Sequence, residues 1–131
     1  MKYIQKKGSK ELQEIRDWLI EYEDVIPKWI TEIRLSYDAD NRDSMLKVAC
    51  HPYRRYVEMD LCAGFIGATD EDKEEAVVHE IAHMILSPIS DLIGLVRDVL
   101  PSGMVDEILE KQAEKAEEFV VPDIVNIIKP L

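Results

Sequence analysis

Five consecutive residues, His79-Glu80-Ile81-Ala82-His83, hold the densest concentration of potential chemistry in the chain. On a helix, imidazoles four residues apart share one face with Cβ atoms about 5–6 Å apart, so both can reach one zinc ion at about 2.0–2.1 Å. Glu80 then stands beside the metal rather than on it, where its carboxylate can take a proton from a water that the metal acidifies. A chain of this length carries H-E-x-x-H by accident roughly three times in a thousand. The bland alternative is two ordinary polar positions on a half-buried helix, satisfied by hydrogen bonds. The pattern points instead to metal-assisted hydrolysis.

That chemistry requires a helix through His79 and His83, and the local sequence supplies one. Thr69 or Asp70 can cap it, Glu71, Asp72 and Glu74 suit the positive end of its dipole, and apolar Val77, Val78, Ile81 and Ile85 flank the motif. The helix should run to about Leu86 and stop at Ser87-Pro88. Before it come three runs of period two: Ile33, Leu35 and Tyr37; Leu46, Val48 and Cys50; Val57, Met59 and Leu61. They predict a small, mostly antiparallel sheet of about three strands, the last two joined by a hairpin turning near His51 to Arg54.

An amphipathic helix with Leu12, Ile15, Leu19 and Tyr22 on one face, capped by Ser9, should precede the sheet. Beyond the motif, Asp91 to Leu100 reads as a shorter helix closed by Pro101. Ser102 can cap another, with Val105, Leu109, Ala113, Ala116 and Val120 as its stripe down to Pro122, and a last short piece at Asp123 to Ile128. The expected class is α+β, with residues 1–131 forming one domain.

Composition narrows the partners. The 131 residues are 47% hydrophobic and 33% charged, the profile of a folded domain large enough for one core. A net charge of -11 repels phosphate backbones and anionic head groups, so neither nucleic acid nor a membrane surface is an expected partner. The lysine-rich start, Met1 to Lys10, is followed by Glu11, Glu14, Arg16 and Asp17 rather than an apolar run, so no secretory signal is expected. The apolar stretch Val77 to Leu100 is interrupted by charged residues that a bilayer disfavours. Cys50 and Cys62 fall out of register with each other in the hairpin, so free thiols and a cytoplasmic setting are expected. The Cys50, His51 and Cys62 group lacks the paired spacing of a structural zinc site.

Val77-Val78-His79-Glu80-Ile81-Ala82-His83 resembles the active-site helix of zincin metallopeptidases, and strands followed by an active helix and a helical second half resemble their smallest members. The chain is similar to the small metallopeptidases encoded by bacteriophages and prophages, and more distantly resembles the ImmA/IrrE type of regulatory peptidase. The resemblance covers about Trp29 to Val121, and its specific part is the HExxH helix. It implies a minimal zincin-like fold, Zn²⁺ as cofactor, and a peptide or protein as substrate. It does not imply an oligomeric state.

A catalytic zinc site needs a third protein ligand. The metzincin extension would put glycine and histidine where Leu86 and Ile89 stand, so that class is excluded. The resemblance implies a glutamate on the helix after Ser102, where Glu110, Glu114, Glu117 and Glu118 compete. At about 100° per residue the stripe of Leu109, Ala113, Ala116 and Val120 passes closest to Glu117, while Glu114 and Glu118 turn to solvent. The expected set is His79, His83 and Glu117 on the metal with Glu80 as catalytic base. Glu114 is the reserve, and Asp91 or Asp106 would serve in an Asp-type zincin. His51, beside Tyr53, Arg54, Arg55 and Tyr56, is a candidate for polarising a substrate carbonyl or stabilising an oxyanion, though a plain turn role is the commoner explanation of such a residue. The strand from Arg55 to Cys62 is the expected edge for an extended substrate, by family analogy. The rival readings are a non-catalytic zincin-fold binding module of phage or prophage origin and a hydrolase of non-peptide amides.

Overall fold

The computed structural model describes residues 1–5, 10–38, 40–99 and 104–128, and within the two long helices the side chains of 70–95 and 111–128. The chain enters on β1 (Lys2–Gln5), passes through α1 (Lys10–Glu21) into β2 (Glu32–Asp38), forms the hairpin β3 (Leu46–His51) and β4 (Tyr56–Cys62), and closes with α2 (Asp70–Val99) and α3 (Met104–Ile128). The class is α+β. Ser9, Leu100, Pro101 and Ser102, assigned above to helix ends, lie outside the described residues, as do the side chains of Val105, Asp106, Leu109 and Glu110.

The sheet has four strands in the order β1-β2-β4-β3, and it is mixed rather than mostly antiparallel. β1 runs parallel to β2 and β2 parallel to β4, leaving β3 and β4 as the antiparallel pair. Two physical causes separate this from the expectation. First, β1 is a four-residue strand with little alternation, and its pairing with β2 is fixed by the α1 crossover, which returns the chain in the same direction. Second, burial sorts the strands. Ile33 and Leu35 on β2 and Val57, Met59 and Leu61 on β4 are wholly enclosed, so these two strands take the centre. β3 keeps Val48 and Cys50 half-buried and takes the rim. The edges of the sheet are therefore β1 and β3, and the strand from Arg55 to Cys62 is not an edge, since it is paired on both sides.

The hairpin turns through a short 3-10 segment, Pro52–Arg54, and Arg55 adopts a left-handed conformation with φ 60°. The Arg55 side chain donates to the carbonyls of Trp29 and Lys28, and its own carbonyl accepts from Thr31, which ties the turn to the entry of β2. At the other end of the hairpin, Gly64 passes so close to the Asn41–Ser44 turn that a Cβ would sit 2.8 Å from the Ser44 carbonyl oxygen. Cys50 faces Val57 across the ladder and Cys62 bonds back to Met45, so the two thiols stay apart and free.

Thr69 caps α2, its Oγ1 accepting from the Asp72 N–H at 3.2 Å, with Asp70, Glu71 and Asp72 in the first turn. The helix does not stop at Ser87-Pro88. It continues to Val99, absorbing the segment from Asp91 that the sequence suggested as a separate helix. A proline inside a helix loses one hydrogen bond and costs about 3 kcal/mol. Here α3 packs along α2 and Ser87 is buried, so tertiary packing outweighs the local penalty. α3 likewise runs through Pro122 to Ile128.

One core joins these layers: Leu12, Ile15 and Leu19 of α1, the inward strand residues, Phe65, and Val77, Ile81 and Met84 of α2. Among the described residues α2 is the one helix long and apolar enough to cross a bilayer. Its most apolar turns face the chain's own sheet, where Val77, Val78, Ile81 and Ala82 are fully enclosed.

Candidate metal centre

With Val78, Ile81 and Ala82 locked into the core, α2 cannot rotate, and it presents His79, Glu80 and His83 at its half-buried margin. The two imidazoles converge as their spacing demands. Their Nε2 atoms lie 3.2 Å apart, with ring centroids at 4.9 Å and planes at 67°. A tetrahedral zinc bonded to both at about 2.0–2.1 Å would hold two ligand nitrogens about 3.3 Å apart. The pair fits that ion in spacing and in chemistry. Among the described residues no group of three or more His, Cys, Asp or Glu side chains is placed to hold a metal ion, so the fit rests on the two imidazoles.

α3 brings its glutamates to this pair, though not in the way the helix-face reading anticipated. Ala116 and Val120 are exposed, while the inward positions are Ala113, Glu117, Val121, Ile124, Val125 and Ile128. Glu117 thus sits on the contact face itself. Its Oε1 lies 2.7 Å from Nδ1 of His83 and its Oε2 accepts from Ser90 Oγ at 2.9 Å. The other ring nitrogen of His83, Nε2, faces Nε2 of His79. Glu117 therefore occupies the side of His83 away from the shared point of the two imidazoles. Glu118, with its side chain two-thirds exposed, lies on the shared side, its Oε1 3.7 Å from His83 Nε2.

Between this constellation and β3 opens a cleft of about 450 Å³, walled by Leu46, Val48 and Cys50 on one side and by Glu80, His83, Ser90 and Glu117 on the other. Burial pushes the Glu80 carboxyl up to about 7; His83 opposes the shift and Glu118 adds to it. A carboxyl that titrates near neutrality is suited to taking a proton and returning it. Burial also lowers the His79 pKa, and His83 beside it lowers it further, against the pull of Glu118 and Glu75. The neutral imidazole is the form a metal needs. Burial lifts the Cys50 thiol to about 11, with Ser87 as its hydrogen-bond partner, so it lines the cleft as an inert wall.

Ser90, Glu117 and His83 are the residue types of a nucleophilic triad in the wrong order. The hydroxyl bonds the carboxylate and not the imidazole, so no base is placed to activate it. His51 stays outside the cluster: it stacks on Tyr56 at 4.5 Å and lies 3.7 Å from Glu58, while the Arg34 guanidinium covers the same Tyr56 ring. Asp91 reaches the cleft wall, and Glu114 is exposed on α3. Asp106 and Glu110 belong to the side chains outside the description. The sequence offers Ser87 only as a helix stop and gives Ser90 no role, yet the two stand four and seven residues after His83, on its own face of an uninterrupted helix. The Ser87-Pro88 stop hid that signal. Comparison of the chain with protein-family models, curated proteins and solved structures gives no match.

Proposed function

We propose that this protein is a zinc-dependent hydrolase of peptide bonds, working in the cytoplasm in the manner of a minimal zincin. The observation that carries the reading is the approach of two imidazole Nε2 atoms to 3.2 Å beside the half-buried Glu80, whose carboxyl is pushed up to about 7 chiefly by burial. His79 and His83 would hold the metal, and Glu118 is the carboxylate on their shared side. When bound, zinc supplies Lewis-acid polarisation of a carbonyl and acidifies a water. Glu80 accepts a proton at its carboxylate during attack and returns it to the departing amine. Leu46, Val48 and Cys50 shield that exchange from bulk solvent along one wall of the cleft.

The geometry of β3 supports an extended substrate. Met45 and Cys62 form a hydrogen-bonded pair, so the alternate residues Leu46, Val48 and Cys50 turn their backbone groups outward from the ladder. A peptide can add there as a fifth strand beside the cleft. An intact base favours this reading over a metal-binding relic, which has no use for Glu80.

The experiment is metal analysis of the purified chain and of His83→Ala. The wild type should hold about one zinc per molecule and the variant none, with its helical circular dichroism retained. Equal zinc in both would refute the site. Cleavage of a mixed peptide library that is lost on chelation and restored by zinc would establish the hydrolase.

A further inference from the structure

We propose that Ser90 is a positioning residue for the metal centre, acting through Glu117 to hold His83 with its hydrogen on Nδ1 and its lone pair on Nε2. The inference rests on the reading of His79 and His83 as metal ligands, but its structural core does not. A glutamate side chain has three rotatable bonds and reaches His83 from a different helix, 34 residues along the chain. Left to itself, such a carboxylate samples many positions. Ser90 removes that freedom by donating to Oε2 while Oε1 faces His83 Nδ1, so both carboxylate oxygens are engaged.

Ser90 is well placed for this. It stands on α2 seven residues after His83, two turns along the same face, and is half-buried against α3. Which ring nitrogen of a neutral histidine carries the hydrogen is set by the partner of the other nitrogen. With Glu117 fixed at Nδ1, that nitrogen is the one set to carry the hydrogen, and Nε2 is left on the side of His79. Metal-ligating histidines depend on such outer partners for orientation and basicity, and loss of one typically costs 10–100-fold in metal affinity. Ser90 and Glu117 therefore set the affinity of the site without touching the ion.

The test uses the full chain in two states. In metal-free protein, ¹⁵N-detected imidazole spectra report the tautomer of His83 directly. Wild type should show the Nδ1–H form, Ser90→Ala a shift toward Nε2–H, and Ser90→Thr, which keeps the hydroxyl, the wild-type form. Zinc affinity by chelator competition should fall about tenfold in Ser90→Ala and recover in Ser90→Thr. Alanine suits a helix interior, and circular dichroism checks that the variant folds; should it not, Ser90→Cys, with a weak donor, replaces it. An Nε2–H tautomer in the wild type, or an unchanged tautomer in Ser90→Ala, overturns the proposal. Absence of zinc binding in the wild type would count against the metal reading alone, since the tautomer comparison still decides the role of Ser90.

Discussion

Glu117 meets His83 at Nδ1, 2.7 Å away, on the side of the ring opposite the nitrogen that faces His79. The two neighbouring carboxylates of α3 thus meet opposite nitrogens of one ring, with Glu118 Oε1 3.7 Å from Nε2. In the proposed site Glu117 orients the imidazole and Glu118 faces the point where the two imidazoles meet.

This division is measurable by zinc titration. Glu118→Gln removes a charged oxygen from the ligand side and should leave a site held by two imidazoles and water, weakening zinc more than 100-fold. Glu117→Gln should weaken it 10–100-fold, because the ion keeps its direct ligands. A larger loss for Glu117→Gln would make Glu117 the ligand and require a rotation of α3.

Glu80 should be separable from metal binding altogether. Glu80→Gln is expected to bind zinc with affinity within a few-fold of wild type while losing at least ~100-fold in turnover, the usual scale for removing a general base. Equal turnover in the two proteins would remove Glu80 from the reaction.

β3 should bind the substrate backbone. Val48 turns its N–H outward, so Val48→Pro deletes a donor on the free edge while sparing the ladder to β4. The expected result is a fold with near-native circular dichroism and a KM raised at least about tenfold, with a smaller change in kcat. A KM unchanged in a folded Val48→Pro protein would place the substrate elsewhere.

Cys50 should resist alkylation. Its thiol is pushed up to about 11 from 9.0, chiefly by burial, and a raised thiol pKa means less thiolate at any pH below it. At pH 8 the thiolate fraction falls about 100-fold below that of an ordinary cysteine, so iodoacetamide should label Cys50 at least that much more slowly. The rate should keep climbing up to pH 11, and a plateau near pH 9 would contradict the burial. Linkage has the same sign. The folded state disfavours the thiolate, so the stability this group contributes is intact below pH 9 and is lost as pH rises through 11.

The sequence alone determined what depends on neighbours along the chain. Spacing of four put His79 and His83 on one helical face; Thr69 and the acids after it started that helix; alternation in Ile33–Tyr37, Leu46–Cys50 and Val57–Leu61 drew three strands and one hairpin. These are short-range consequences of fixed backbone periods. Tertiary structure decided whatever required elements to choose among partners. Parallel pairing of β1 to β2 and of β2 to β4 came from the α1 crossover and from burial of Val57, Met59 and Leu61, none of which local alternation encodes. The passage of α2 through Pro88 came from packing against α3, and it brought Ser90 under His83. The same packing set the rotation of α3 and so turned Glu117 inward to Nδ1. A helix carries its period in its sequence, but the face it buries is fixed by the surface it meets, because burial energy depends on the partner and not on the helix alone.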